Sequence, residues 1–181
     1  MLAHELESLE GRLSPRLQAA LGAVGLRLAA ADVPWVLMGS AARALAGASR
    51  RPRDLDIEVR SEDAERAARA VGCELAPEMS GGWSSLHATR ILAGVEIDLS
   101  AGIVVAGPDW RLDPDDALIA EWSRRVMLAG LPVVLAPPEE GLVRAIVAGD
   151  WVRLAKIAAG GGPPPRAGYV ARRLAAARAV R

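Results

Sequence analysis

The first predicted element is a helix, marked by apolar residues at helical spacing. Ser14 and Pro15 form a start signal, in which the serine caps the helix and the proline occupies its first turn. Leucine and valine side chains then recur three and four residues apart as far as Leu28. The pattern predicts an amphipathic helix over about 15–31 with one buried face.

The second feature is a strand, a tight turn and a helix in direct succession. The apolar run 35–38 follows a proline and ends at Gly39 and Ser40, and the helix-forming stretch 41–46 comes next. A basic loop follows, and residues 54–59 then alternate acidic with apolar side chains at the period of a strand. We expect one face of this strand to be acidic and the other to lie in the core.

The middle of the chain alternates helical segments with antiparallel pairs of strands. A turn signal at Ala93-Gly94 joins two strand-like runs, so the sheet is expected to be mixed. The predicted elements here are a helix capped by Ser61 and running to about Gly72, a third strand beginning near Gly72, a hairpin of 83–92 and 95–99, a short helix from Asp113-Pro114, a hairpin of 125–128 and 132–135, and a helix over 139–147.

Glycine and proline interrupt the helical pattern near the C-terminus. The run 160–165 consists of three glycines and three prolines, and it fits neither a helix interior nor a central strand. An arginine- and alanine-rich helix is predicted after it, over about 167–180. We therefore expect an α/β (α+β) domain over 1–159, with a mixed sheet flanked by helices, and a linker with a short C-terminal helical tail over 160–181.

Composition limits the classes of partner. Acidic and basic residues balance at 22 each, which gives no reason to expect steering onto a long nucleic acid or an anionic membrane. A single cysteine excludes an internal disulfide and a cysteine-rich zinc cage. No run reaches the roughly 18 apolar residues of a membrane span, and three glutamates among the first ten residues argue against a secretory signal. The expectation is a cytoplasmic protein.

The candidate chemistry lies on the acidic face of the strand predicted over 54–59. Alternation brings Asp54 and Asp56 to one face with Cα atoms roughly 6.5–7 Å apart, and hard divalent cations bind carboxylate oxygens that converge in this way. Solvated strands also carry acids, so an ordinary surface face is the alternative. Gly39 and Ser40 add context, because a turn that opens a helix offers N–H groups to a phosphate, although the serine can equally be a helix cap.

This combination resembles the signature of the nucleotidyltransferase superfamily of polymerase-beta-like proteins. The signature is an apolar residue, Gly-Gly or Gly-Ser, a spacer, and Asp-apolar-Asp/Glu-apolar. This chain reads Met38-Gly39-Ser40, a spacer, and Asp54-Leu55-Asp56-Ile57. The superfamily adds a third carboxylate on a later strand, which Asp98 matches, with Glu96 on the same face as the alternative. The resemblance spans about 34–100, and a weaker similarity around 131–139 is like the tail of small bacterial nucleotidyltransferases.

The resemblance implies a set of roles for these residues. Gly39 and Ser40 are expected to hold a nucleoside triphosphate. Three carboxylates are expected to bind Mg²⁺ or Mn²⁺: Asp54, Asp56 and Asp98. The last of them is also expected to activate an acceptor hydroxyl.

Several basic residues are candidates for further contacts. Arg43, one turn into the helix, suits triphosphate oxygens best, whereas the loop arginines Arg50, Arg51 and Arg53 have ordinary solvation as their alternative. His87 lies before the third acid, where it is either a general base or a packing residue. Relatives carry a lysine and an Arg-x-Lys-Asp stretch in the tail. This chain has Arg144 and the shorter Asp150-Trp151-Val152-Arg153 instead.

The implied activity is metal-dependent transfer of a nucleoside monophosphate, with ATP as the expected donor. The acceptor is a hydroxyl of a small molecule, a protein or an RNA end, and a long nucleic acid is not expected. One alternative is an antitoxin-type module that modifies or binds a toxin-like protein partner. Another is a catalytically degenerate nucleotide-binding domain, against which the presence of every expected ligand residue argues.

Overall fold

The computed structural model describes residues 7–8, 11–49 and 51–180, and it forms one mixed sheet with helices packed against it. The strands are β1 (Glu7–Ser8), β2 (Trp35–Leu37), β3 (Leu55–Val59), β4 (Ala76–Ser80), β5 (Trp83–Leu92), β6 (Val95–Ala106), β7 (Trp110–Leu112), β8 (Arg124–Leu128), β9 (Leu131–Leu135) and β10 (Arg178–Ala179). The helices are α1 (Pro15–Ala30), α2 (Gly39–Leu45), α3 (Ala64–Val71), α4 (Asp116–Trp122), α5 (Glu140–Ala148), α6 (Trp151–Ala159) and α7 (Ala167–Ala175).

The sheet order puts the acidic strand in the middle of the sheet. Across the described residues the order is β1-β8-β9-β2-β3-β6-β5-β4, with β7 paired to β6 and β10 paired to β7. Strand β3 is antiparallel to β2 and parallel to β6, so the predicted mixed sheet is confirmed. The strand that leads into the Gly39 turn and the strand that carries Asp98 therefore lie on either side of β3.

Helix α1 has the predicted start and the predicted buried face. The Ser14 hydroxyl accepts a hydrogen bond from the backbone N–H of Leu17 at 3.3 Å. Leu17, Leu21, Val24 and Leu28 are buried in the main core. Each such side chain contributes about 1.5–3 kcal/mol on burial, so the apolar stripe fixes the helix on the sheet.

The predicted start of the helix after β3 is wrong in one detail. Ser61 makes no capping hydrogen bond and instead begins a turn of 3-10 helix, Ser61–Asp63, which Arg60 precedes as the N-cap. The α-helix starts at Ala64 and ends at Val71, and the left-handed conformation of the C-cap residue Gly72 is the expected glycine stop. In this turn the backbone N–H groups of Asp63 and Ala64 donate to the carbonyl oxygens of Arg60 and Ser61, so they do not need the Ser61 hydroxyl as a cap.

Two further helices differ from their predicted bounds. Helix α4 starts at Asp116, and Asp115 rather than a residue at 113 caps it, accepting from the N–H of Leu118 at 3.0 Å. The last helix stops at Ala175 and not at 180, because Arg178–Ala179 pairs with β7 as a short strand. Helix α6 is absent from the sequence prediction altogether.

A buried network of charged groups joins β3 to α5 and α7. Glu58 accepts two hydrogen bonds from the Arg144 guanidinium, each 2.9 Å long, and Arg144 also donates to Glu140 at 2.6 Å. From α7, the Tyr169 hydroxyl donates to Glu140 at 2.5 Å and Arg173 donates at 3.1 Å. All five side chains are buried, and the two arginines balance the two glutamates. The network anchors α7 to the central strand through α5.

The described helices are also limited in length and in apolar character. None of those in residues 11–49 and 51–180 is long and apolar enough to cross a lipid bilayer.

Candidate active site

The turn that joins β2 to α2 includes Gly39, the first residue of α2, and brings it against the carboxylate of Asp56. Gly39 has a φ of +60°, a conformation that glycine adopts without strain. A Cβ atom on this residue would lie 1.8 Å from Oδ2 of Asp56, so a larger residue would displace the carboxylate. The backbone N–H of Ser40 donates to Asp56 as well. Main-chain geometry therefore holds Asp56 at the start of α2.

Asp56 and Asp98 are direct neighbours on parallel strands. The register of β3 and β6 pairs them with each other. Asp54 immediately precedes β3, and the Ser40 hydroxyl donates to its Oδ1 at 3.3 Å. The structure thus brings together the predicted residues of the turn and the three predicted carboxylates. The alternative third carboxylate, Glu96, is exposed and lies beyond the paired part of β3 and β6.

The environment of Asp56 disfavours its ionised form. Burial, together with the negative charges of Asp54 and Asp98, raises its pKa from an ordinary 3.8 to about 6, and burial has the larger effect. The Arg153 guanidinium and the N–H of Ser40 act in the opposite direction. A carboxylate in this position gains from any cation placed between it and its acidic neighbours.

A cleft of about 720 Å³ opens beside the turn, and both acidic and basic residues line it. The acidic residues are Asp54 and Asp56, next to Gly39 and Ser40, and Asp150. The basic residues that line the cleft are Arg43, Arg51, Arg53, Arg153 and Lys156. A polyphosphate that reaches the carboxylates through a cation would meet guanidinium and ammonium groups along the rest of its length.

A second cleft of about 500 Å³ meets the first at Gly39 and Asp56. Residues of β4 and β5 line it, and three of the lining residues are serines: Ser80, Ser85 and Ser100. Asp98, His87 and Glu78 also face it. The two clefts are thus one basic and one polar cavity, and Asp56 lines both of them.

Two predicted basic residues have structural partners. Arg43 lines the first cleft, and its guanidinium donates to the backbone oxygens of Ile157 at 2.7 Å and Gly161 at 3.2 Å, so it also ties α2 to the end of α6. Arg144 is buried in the network with Glu58. Arg50 lies outside the described residues.

Sequence reasoning missed the basic wall that α6 contributes. The side chain of Asp150 caps the helix by accepting from the N–H of Arg153 at 2.9 Å. Arg153 and Lys156 lie three residues apart and therefore face the cleft together. The Arg153 guanidinium stacks over the Trp83 ring at 4.3 Å, which fixes its position between the clefts. The helix-cap signal at Asp150 and this spacing are the features that identify the wall.

The donor set fits a hard divalent cation that shares its ligands with a substrate. In the described part of the chain, no three His, Cys, Asp or Glu side chains form a ready metal cage. Mg²⁺ is usually held by one or two carboxylates together with substrate phosphates and water, not by a complete protein cage. The adjacent carboxylates of Asp56 and Asp98, with Asp54 nearby, match that mode of binding in donor type and charge.

Comparison with known proteins supports the fold. No protein-family model matches the sequence, and no curated protein matches it significantly. Among solved structures, the chain is similar to the crystal structure of a "putative nucleotidyltransferase (TM1012)" from Thermotoga maritima, with a TM-score of 0.64 and 19% sequence identity. The similarity covers 81% of this chain and 89% of that one. The nucleotidyltransferase-like fold predicted from the signature is confirmed.

Proposed function

We propose that this protein is a metal-dependent nucleotidyltransferase that moves a nucleoside monophosphate from a nucleoside triphosphate to a hydroxyl group. The observation that carries the proposal is the pairing of Asp56 with Asp98 beside the Gly39 turn, at the point where the basic cleft and the polar cleft meet. Nucleotidyl transfer needs a place for the triphosphate, a place for the acceptor and carboxylates between them.

The first cleft would bind the triphosphate. Its basic wall, above all Arg153 and Lys156, would contact the phosphates that leave as pyrophosphate. Asp54 and Asp56, with Asp98, would hold Mg²⁺ or Mn²⁺. When bound, such an ion neutralises phosphate charge and helps to align the attacking oxygen with the leaving group.

The second cleft would bind the acceptor, with its hydroxyl next to Asp98. The hydroxyl oxygen forms a bond to the α-phosphorus while the bond from that phosphorus to the pyrophosphate oxygen breaks. Asp98 accepts the proton that the hydroxyl loses, and pyrophosphate leaves through the basic cleft. The products are a nucleoside monophosphate ester of the acceptor and pyrophosphate.

The activity can be tested without knowing the acceptor. The four α-³²P-labelled nucleoside triphosphates are incubated with Mg²⁺ or Mn²⁺ and with small alcohols, cell extract proteins or RNA, and label transfer is measured. We expect label on one acceptor class with the unaltered chain and none with Asp56→Asn. Arg172→Met, which alters an exposed residue of α7, serves as the control that should keep activity. Label transfer by Asp56→Asn equal to that of the unaltered chain would contradict the proposal.

A further inference from the structure

Four neighbouring strands present a continuous line of polar side chains on one face of the sheet. The register pairs Asp56 with Asp98, Asp98 with Thr89, and His87 with Ser100, so these residues share that face. The His87 ring lies between two carboxylates: Nδ1 is 2.5 Å from Oε2 of Glu78, and Nε2 is 3.3 Å from Oδ1 of Asp98. The line therefore runs from the sheet edge at β4 to the central strand β3.

The contacts to Asp98 all fall on one of its two oxygens. The Thr89 hydroxyl donates to Oδ1 at 2.9 Å, and His87 Nε2 approaches the same atom. Within the described residues no hydrogen bond reaches Oδ2 of Asp98. Two groups on one oxygen fix the carboxylate plane, because rotation about the Cβ–Cγ bond would break both contacts. The other oxygen, Oδ2, belongs to a side chain that neighbours Asp56 on the adjacent strand.

We propose that His87 is a positioning residue, whose Nε2 holds Oδ1 of Asp98 and so presents Oδ2 to a divalent metal. The inference rests on the proposed nucleotidyltransferase function. Groups that orient a metal-binding side chain in this way typically change metal affinity or activity about 10–100-fold when they are removed. A histidine that only joined β4 to β5 would influence folding stability and leave metal affinity unchanged.

Two amide variants separate the two contacts of the ring. The amide created by His87→Gln is too long to reproduce Nδ1, but it reaches the position of Nε2 and can donate to Asp98. The shorter amide created by His87→Asn lies near the position of Nδ1 and can contact Glu78 only. His87→Ala removes both contacts, and Arg90→Gln, on the opposite face of β5, is the matched control.

The experiment measures binding of the Mn²⁺–tripolyphosphate complex to each variant by isothermal titration calorimetry, together with the melting temperature of each metal-free variant. We expect His87→Ala and His87→Asn to bind Mn²⁺ about 10–100-fold more weakly than the unaltered chain, and His87→Gln and Arg90→Gln to bind within about threefold of it. This probe carries no base, so the result does not depend on which nucleotide the protein uses.

The outcomes distinguish the inference from the proposed function. If the unaltered chain takes up Mn²⁺ and all three His87 variants bind it equally well, the positioning role is wrong while the nucleotidyltransferase proposal stands. Equal losses in all three variants, accompanied by equal losses in melting temperature, also overturn the positioning role. If the unaltered chain takes up no Mn²⁺ with tripolyphosphate, the proposed function fails, and the inference fails with it.

Discussion

Gly39 occupies a backbone position where a side chain would collide with the carboxylate of Asp56. In Gly39→Ala the new Cβ would meet Oδ2 of Asp56, and the positive φ adds strain of about 1–3 kcal/mol. We expect turnover to fall by about 100-fold, because a shift of about 1 Å in a reacting group has that effect. Gly72→Ala is the control: its φ is +79° but nothing lies within 4 Å of the new Cβ. Denaturant unfolding should show a lower free energy of unfolding in both variants, because both carry backbone strain. Activity should be lost in Gly39→Ala alone.

The raised pKa of Asp56 makes the metal-free fold sensitive to pH. Because the pKa is about 6 in the folded chain and close to 3.8 when exposed, folding favours the protonated form. The stability that this gives is present below about pH 4 and is lost as the pH rises through about 6. Asp56→Asn has no such titration. With a chelator present, we expect its melting temperature to rise relative to the unaltered chain between pH 4 and pH 6.5.

A constant difference in melting temperature between the two proteins across that pH range would contradict the raised pKa of Asp56. The same variant provides a second comparison with metal present. Mg²⁺ and a triphosphate should raise the melting temperature of the unaltered chain and should have little effect on Asp56→Asn, because the asparagine amide is a poor ligand for a hard cation.

At the scale of elements, the position of α5 depends on buried ion pairs that join it to β3 on one side and to α7 on the other. Arg144→Met would leave Glu58 and Glu140 buried without their main partner, and breaking a buried pair in this way costs about 3–5 kcal/mol. Arg172→Met removes an exposed arginine whose pair with Glu121 is screened by solvent and therefore contributes little to stability. Urea unfolding of the two variants should show this difference. Equal losses would mean that the buried network adds nothing beyond a surface pair.

The elements that the sequence predicts well are those whose signals are local. The cap and apolar stripe of α1, the strand and turn around Gly39, and the alternation around Asp56 each lie within a few residues, and the structure has all of them. The bounds that fail depend on distant partners. Arg178–Ala179 adopts strand conformation and not the predicted helix, because it pairs with β7. The helical pattern in the tail contains no information about that distant strand.

The same distinction applies to the site. The carboxylates and the turn could be found because they recur in a short signature. The basic wall has no such signature: its sequence signals, the cap at Asp150 and the spacing of Arg153 and Lys156, indicate a helix face, and only the packing of α6 brings that face to the cleft. The arginine chosen from the sequence, Arg43, does line the cleft, but its contacts with the end of α6 depend on that same packing.

For the whole molecule, the charge pattern predicts weak binding to long nucleic acids. Four arginines of the C-terminal segment are paired with carboxylates: Arg166 with Glu139, Arg172 with Glu121, Arg173 with Glu140, and Arg178 with Asp113. In the described part of that segment, up to residue 180, these paired arginines form no contiguous basic stripe. Nucleic-acid affinity depends on such stripes and falls steeply with salt. Filter binding to tRNA and to random duplex should show only weak retention at low and moderate salt. Sub-micromolar binding that is lost on removing residues 166–181 would overturn this prediction.

The buried network also has a consequence for the order in which the protein matures. Tyr169 and Arg173, which complete the shell around Glu140, are synthesised after nine of the ten strands of the described sheet. A nascent chain on the ribosome can therefore assemble its carboxylates while Glu140 still lacks two of its partners. Helices α5 and α6, which line the cleft, are then expected to reach their final positions only when α7 packs against α5. Competence to bind a triphosphate would thus arise late in translation, after the sheet itself has formed.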